Sequence, residues 1–129
     1  MLVTGIINPE INSLLSRVRH TDTLIISDWG FPDMPGVEMI DISLVAGIPR
    51  VVDVVRAIRV NFKCGKGAMA TEFRETSSAE TLRCYEEALE GVSIVWEPQA
   101  LLKSRAKGVV GIIRTGDTTR FGNIILEST

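Results

Sequence analysis

The first regular feature along the chain is a set of apolar residues at helical spacing. Asn8 followed by Pro9 matches a helix N-cap with proline at the first helical position. The apolar side chains that follow fall on one helix face: Ile11, Leu14, Leu15 and Val18. Beyond this predicted helix, the apolar run Thr23–Ser27 is typical of a strand that is buried on both faces.

The next part of the chain alternates between breakers and apolar segments. Residues 28–36 include two prolines and two glycines, which predict a loop, and residues 37–42 predict a second strand. Residues 50–59 could form a helix or a strand. Their apolar spacing favours a helix, although five β-branched residues lower the helix propensity of the segment. We expect a helix there.

The second half of the chain continues the alternation. Strands are predicted at residues 68–73, 92–96, 109–113 and 124–126, the last two joined by a polar loop at residues 115–122. One helix is predicted to begin at a capping box of Ser77 and Glu80 and to end at Gly91, and a short helix to follow Pro98 as far as Ala106. Because helices alternate with buried strands, the sequence predicts one α/β domain, residues 1–129, with a largely parallel sheet flanked by helices.

Composition narrows the class of protein. The chain has 129 residues, 45% of them hydrophobic, and a net charge of −2, which argues against a nucleic-acid partner. No apolar run approaches the roughly 18 residues that span a bilayer. The start of the chain lacks the basic region of a signal peptide, and Cys64 and Cys84 lie outside any CxxC spacing. We therefore predict a cytoplasmic protein with reduced thiols and no membrane partner.

Several kinds of catalytic site are excluded by composition and spacing. The chain has a single histidine, so one copy cannot build a zinc site from two or three histidines. The glycine patterns of a P-loop, a nucleophile elbow and a dinucleotide site are absent. One acidic group could suggest a metal site: Asp28, Asp33, Glu38 and Asp41. Loop carboxylates are more often turn formers, so we predict no metal.

Two polar residues flank the first strand. His20 lies between the predicted helix and the strand, where a charged histidine can simply favour a helix C-terminus. Asp28 directly follows the buried strand, where open α/β sheets usually bind ligands. An aspartate shortly before Gly30 and Pro32 is also a common turn former. Local sequence alone leaves a structural and a functional interpretation open for each side chain.

The segment between these two residues resembles a known family. Residues 20–28, His-Thr-Asp-Thr-Leu-Ile-Ile-Ser-Asp, are similar to the signature strand of the ribose pyranase / fucose mutarotase (RbsD/FucU-like) family. The similarity continues in the family's order at residues 8–19, 27–32, 40–49, 113–117 and 121–126. Residues 61–107 are similar only in their pattern.

The resemblance implies an RbsD-like α/β fold and an isomerase that interconverts ring forms of free monosaccharides without metal or cofactor. It implies His20 as the proton donor, and these residues as sugar-binding: Asp28, Gln99, Phe121, Gly122 and Asn123. Two of them depart from the family pattern, which usually has histidine or arginine in place of Gln99 and tyrosine in place of Phe121. Without a phenolic hydroxyl, Phe121 cannot act as an acid or a base.

Ring interconversion requires only proton transfers, and an imidazole with a pKa near 6.5 suits neutral pH. We therefore predict an isomerase of D-ribose pyranase or L-fucose mutarotase type with His20 as its catalytic residue. The alternative is a non-catalytic sugar-binding or transport-accessory protein of the same fold, which the departures at Gln99 and Phe121 leave open.

The strand itself limits how one copy can build the site. Six extended steps from Asp22 to Asp28 span about 20 Å, which places His20 and Asp28 at opposite ends. Either this segment bends sharply, or a neighbouring copy supplies one of the two residues. We favour the second possibility, which agrees with the ring-shaped homo-oligomers, such as a decamer, that the resemblance implies.

Overall fold

The strands of the computed structural model, which describes residues 1–129, form one six-stranded sheet. They are β1 (Thr23–Ser27), β2 (Glu38–Asp41), β3 (Cys64–Ala70), β4 (Ser93–Glu97), β5 (Gly111–Arg114) and β6 (Ile124–Ser128). Across the sheet their order is β2-β5-β1-β6-β3-β4. Only β6 runs antiparallel to its neighbours β1 and β3. The prediction of an α/β fold with a largely parallel sheet is confirmed.

Five α-helices connect the strands. They are α1 (Pro9–Arg17), α2 (Val51–Arg59), α3 (Thr71–Thr76), α4 (Ala79–Ala88) and α5 (Gln99–Arg105), which continues into a 3-10 turn at Ala106–Gly108. Asn8 caps α1 as predicted, since its Oδ1 accepts the N–H of Ile11 at 3.0 Å. The ambiguous segment 50–59 is a helix, because that conformation buries its apolar face against the sheet.

The sheet separates two hydrophobic cores. The larger core packs α1, α2 and α4 on one face, with buried members that include Leu14, Val55, Ile58, Phe73 and Tyr85. The smaller core packs α5 on the other face, through Ile25, Leu102, Ala106, Ile112 and Ile125. Fully burying a large apolar side chain contributes about 1.5–3 kcal/mol to the free energy of unfolding. The two cores therefore hold the strand ends in fixed positions.

The predicted strand at residues 68–73 is wrong at both ends. Strand β3 begins at Cys64, and α3 starts at Thr71 directly after it. Gly67 lies within this strand, and the position needs glycine because a Cβ there would come within 2.7 Å of the Ile125 carbonyl oxygen. A glycine in a strand often marks such a close approach of backbones.

The predicted capping box at Ser77 and Glu80 is also wrong. Ser78 caps α4, since its Oγ accepts the N–H of Thr81 at 3.1 Å, whereas the N–H of Ser77 closes the end of α3. Tyr85 of α4 and Leu89 at its C-terminal end are buried. No helix of the structure is both long enough and apolar enough to span a membrane.

Candidate functional site

Several of the predicted site residues meet at one edge of the sheet. Asp28 follows the carboxyl end of β1, and Gln99 comes shortly after the carboxyl end of β4. Because β6 is antiparallel to its neighbours, it begins at this same edge, directly after Phe121, Gly122 and Asn123. Ligands of open α/β sheets bind outside the carboxyl ends of the parallel strands. The topology therefore gathers these residues where a ligand is expected.

A cleft of about 360 Å³ opens at this edge. It is lined by Asp28, Trp29, Gly30, Phe31, Pro32, Gln99, Lys103, Thr118, Thr119, Arg120 and Phe121. Gly122 and Asn123 are buried next to these lining residues. The cleft lies within the usual size range of small-molecule sites, roughly 300–1,000 Å³. Six of its eleven lining residues carry polar or charged side chains, which suits a ligand rich in hydroxyl groups.

Asp28 is held by hydrogen bonds at its backbone and its side chain. Its N–H donates to Oδ1 of Asn123 at 2.8 Å, and its own Oδ1 accepts the N–H of Gly30 at 2.9 Å. Burial raises the pKa of the Asp28 carboxyl above its usual value, and the hydrogen bond from Gly30 opposes this shift. The carboxyl group is thus fixed in direction and only partly solvated, as a ligand-binding acceptor requires.

The turn from Phe121 to Asn123 is strained and supported from behind. Phe121 has a φ of 59°, in the left-handed region that costs a non-glycine residue about 1–2 kcal/mol. The hydroxyl of Tyr85 donates to the carbonyl of Gly122 at 3.2 Å, and a Cβ at Gly122 would collide with that hydroxyl. The close approach of α4 therefore requires glycine in the middle of this turn.

Gln99 stands at the start of α5 with an unused acceptor. Its backbone N–H donates to Oε2 of Glu72 at 2.7 Å, which ties α5 to α3. Its side-chain Oε1 is buried and has no hydrogen-bond partner within the chain. Since buried polar atoms are nearly always satisfied, this oxygen is a candidate acceptor for a ligand hydroxyl.

His20 lies away from the cleft. It precedes β1 and is exposed, whereas Asp28 follows β1 at the other edge of the sheet. Its neighbour Thr21 has a φ of 69°, and the Thr21 N–H donates to Ser128, at the end of β6. A β-branched residue rarely adopts this conformation, so the backbone beside His20 is fixed at an energetic cost. The structure does not bring His20 and Asp28 of one copy together.

Comparison with known proteins decides the family. Residues 1–129 match the RbsD / FucU transport protein family. The chain belongs to this family. The D-ribose pyranase of Chromobacterium violaceum is 33% identical over 124 residues, which cover 96% of this chain and 94% of the relative. That of Staphylococcus saprophyticus is 36% identical over 128 residues, covering 99% and 97%.

Solved structures agree with this RbsD / FucU assignment. Bacillus subtilis RbsD complexed with D-ribose superposes with a TM-score of 0.90 at 30% identity, covering 99% of this chain and 97% of that chain. The fucose mutarotase of Streptococcus pneumoniae in complex with L-fucose gives a TM-score of 0.79 at 18% identity, covering 95% and 92%. At that identity the second similarity concerns the fold alone. The predicted family and its fold are confirmed.

One residue of this RbsD / FucU chain stands out in the structure although its sequence position suggested no role. Asp117 follows β5, the parallel neighbour of β1, and is only 5% exposed. Its carbonyl accepts the N–H of Trp29 at 3.0 Å, and its Oδ1 accepts the N–H of Thr119 at 2.8 Å. Its position after a parallel strand next to β1 was the available signal. Lys103 and Arg120, which line the cleft, were missed because isolated surface cations carry no pattern.

The acidic group considered as a metal site is divided among ion pairs. Arg114 lies 3.0 Å from both Asp33 and Asp41, and Arg17 lies 2.6 Å from Glu38. Only Asp28 of that group lines the cleft. The chain holds no cluster of three or more histidine, cysteine or acidic side chains that could bind a metal ion.

Proposed function

We propose that the chain is a cofactor-free isomerase that interconverts the pyranose and furanose forms of free D-ribose by acid–base proton transfer. The observation that carries the proposal is the convergence of Asp28, Gln99 and Phe121 on one polar cleft. The relatives at 33% and 36% identity are D-ribose pyranases, and the structure with a TM-score of 0.90 is complexed with D-ribose, which supports the same sugar here.

The proposed reaction needs one proton donor and a site that holds the sugar. The imidazolium of His20 gives its proton to the ring oxygen as the bond from that oxygen to the anomeric carbon breaks. The anomeric hydroxyl loses its proton to solvent and becomes the aldehyde oxygen of the open chain. Ring closure from a different hydroxyl reverses these transfers and returns the proton to His20. No electrons are exchanged with another molecule.

The cleft residues would bind the sugar through complementary groups. The carboxylate of Asp28 and the unpartnered Oε1 of Gln99 would accept sugar hydroxyls. Asn123 would hold a hydroxyl as well as the backbone of Asp28. Phe121 and the exposed ring of Trp29 would pack against the apolar face of the sugar. Phe121 has no hydroxyl group, so it contributes contact and no proton transfer.

The position of His20 supports a site shared between copies of the chain. Its place at the edge opposite Asp28 leaves each cleft without an imidazole from its own copy. A neighbouring copy in a closed ring would present its His20 to the cleft. The protein would then be a homo-oligomer that is active only when assembled.

An exposed apolar loop also supports self-association. Leu44, Val45 and Ile48 are 76%, 57% and 54% exposed on the loop after β2. The loop is ordered by hydrogen bonds from its backbone, including one between the N–H of Gly47 and the carbonyl of Gly116. Large apolar side chains held rigidly in solvent mark protein interaction surfaces.

Saturation-transfer NMR on the anomeric protons tests the proposed activity. Protein treated with a chelator should accelerate exchange between the pyranose and furanose signals of D-ribose more than it accelerates anomer exchange of L-fucose. A protein that binds D-ribose and leaves its exchange rates unchanged would be the non-catalytic sugar-binding alternative. A protein that affects neither sugar would contradict both functions.

A further inference from the structure

Asp117 connects three backbone segments through its carboxylate and its main chain. Its Oδ2 accepts the N–H of Val51, the first residue of α2, at 2.9 Å, and its Oδ1 accepts the N–H of Thr119 at 2.8 Å. Its carbonyl accepts the N–H of Trp29 at 3.0 Å. Trp29 directly follows Asp28, and Thr119 precedes the turn at Phe121. Asp117 thus touches both halves of the cleft without lining it.

A second set of bonds fixes Asp117 from the strand side. Its N–H donates to Oγ1 of Thr115 at 3.1 Å, and that hydroxyl donates to the carbonyl of Ser27 at 2.8 Å. Thr115 is fully buried, and Ser27 is the residue before Asp28. Asp28 is therefore held on both sides in the chain, through Ser27 and through Trp29, by one network that centres on Asp117.

The Asp117 carboxylate has no cationic partner. Its two oxygens accept backbone N–H groups, while the guanidinium of nearby Arg50 pairs with Asp53 at 2.8 Å. A buried carboxylate is normally paired with a cation or replaced by a neutral group. The geometry explains why a carboxylate occupies this buried position. A carboxylate accepts hydrogen bonds in two directions, and unlike an amide it has no donor that would face the converging N–H groups.

We propose that Asp117 is a positioning residue, whose carboxylate fixes the end of β1 and the loop before Phe121 in the arrangement that binds the sugar. This inference rests on the proposed function and adds to it a determinant of substrate binding that does not touch the substrate. His20, which transfers the proton, belongs to the opposite edge of the sheet. Loss of Asp117 therefore weakens substrate binding and leaves the proton-transfer step nearly unchanged.

The test is a comparison of KM and kcat for D-ribose in the assembled protein, measured by NMR exchange. Asp117→Asn keeps the shape of the side chain but turns an NH₂ group toward one of the N–H donors. One backbone N–H then loses its acceptor and faces another donor, which loosens the cleft and weakens substrate binding. We therefore expect KM to rise about tenfold and kcat to change less than about twofold. Asn8→Ala is the matched control, because it also removes one bond from a side chain to a backbone N–H but is remote from the cleft.

Thr115→Val provides a second variant of nearly the same shape should Asp117→Asn fail to fold. It removes the hydroxyl that joins Asp117 to Ser27, and we expect KM to rise about threefold. If the wild type is active and folded Asp117→Asn has the same KM as the Asn8→Ala control, the positioning role is contradicted. Where Asp117→Asn does not fold, the same comparison is made with Thr115→Val. A wild type that catalyses no exchange would instead refute the proposed function.

Discussion

At the scale of single residues, Asp28 combines a partly buried carboxyl group with a place in the cleft. Burial raises its pKa, so the folded protein holds the neutral form more readily than the unfolded chain does. The charged form, which accepts sugar hydroxyls more strongly, is therefore present at neutral pH at some expense in stability. Such a conflict between stability and binding is common at functional sites.

Asp28→Asn should separate the two effects. We expect weaker D-ribose binding, with KM raised about tenfold, because an amide accepts hydroxyl hydrogen bonds less strongly than a carboxylate. At pH 7 the melting temperature should stay the same or rise, because the cost of desolvating the charge is removed. Asp33→Asn on the same exposed loop is the control. Unchanged KM in Asp28→Asn would show that Asp28 only shapes the turn.

The pH dependence of binding follows from the same raised pKa. As the pH falls, Asp28 takes up a proton at a higher pH than an ordinary aspartate, whose pKa is 3.8. We expect the affinity for D-ribose to fall through this range in the wild type and to stay flatter in Asp28→Asn. Calorimetric titration at a series of pH values measures both. Parallel curves for the two proteins would mean that Asp28 does not bind the sugar.

His20→Ala should abolish most of the activity without unfolding the protein. His20 is exposed, so its removal should change the stability by less than about 0.5 kcal/mol. The loss of a positioned acid or base should slow sugar exchange by about 10²–10⁴-fold. Arg19→Ala, its exposed neighbour, is the control in the same NMR assay. Wild-type exchange rates in folded His20→Ala would rule out the mechanism, whereas a loss of stability alone would favour the helix-end role.

The family resemblance made Asp28, Gln99 and Phe121 site candidates, and the fold brings all three to one cleft. Asp28 and Phe121 lie in loops beside strand ends, and Gln99 is the first residue of α5. The position of Asp117 after a predicted strand was visible in the sequence, but its role was not, because that role depends on N–H groups that only the fold brings together. The positive φ angles at Thr21 and Phe121 could not be predicted either, because glycine or asparagine is the usual residue in that conformation.

At the scale of elements, α4 supports the turn that closes the cleft. Burial raises the pKa of Tyr85 well above its usual range, so its phenol remains a hydrogen-bond donor. The phenol hydroxyl of Tyr85 donates from α4 to the carbonyl of Gly122, and the centroids of the Tyr85 and Phe73 rings lie 4.5 Å apart. The strained turn at Phe121 is therefore held by a helix that contributes nothing to the cleft wall.

Tyr85→Phe should loosen this turn while preserving the core. The variant leaves the Gly122 carbonyl without its partner, which should lower the free energy of unfolding by about 1–2 kcal/mol. We also expect KM for D-ribose to rise about threefold as Phe121 and Asn123 lose support. Denaturant unfolding and NMR exchange measure the two effects. Thr81→Val, which removes another hydroxyl from α4, should leave KM unaltered, and an unaltered KM in Tyr85→Phe would contradict this role.

Elements with a clear period were predicted well, and those governed by tertiary contacts were not. The apolar face of α2 outweighed its β-branched residues because the sheet offered a surface to cover. The start of β3 at Cys64 was not predicted, because Gly65 and Gly67 interrupt its apolar pattern, and the need for Gly67 arises only from the close approach of the β6 backbone. The antiparallel direction of β6 could not be predicted from the sequence either, because a short apolar run does not indicate the direction in which a strand pairs.

At the scale of the whole molecule, the sheet separates His20, the proposed proton donor, from the proposed sugar-binding residues of the cleft. The extended length of β1 set this separation, and sequence alone could anticipate it. It could not say that the segment stays straight, which the pairing of β1 with β5 and β6 enforces. Together with the exposed apolar loop at Leu44, Val45 and Ile48, this geometry supports a ring in which each cleft takes His20 from a neighbour.

The most direct test of this account mixes His20→Ala subunits with Asp28→Ala subunits. Each variant alone should be nearly inactive. If each site draws His20 from one copy and Asp28 from another, equal mixing with free exchange should restore about one quarter of the sites and a matching share of the exchange rate. Activity no greater than the sum of the separate variants, after light scattering and mass spectrometry have confirmed mixed oligomers, would contradict the shared site. A fully active monomer would contradict it equally.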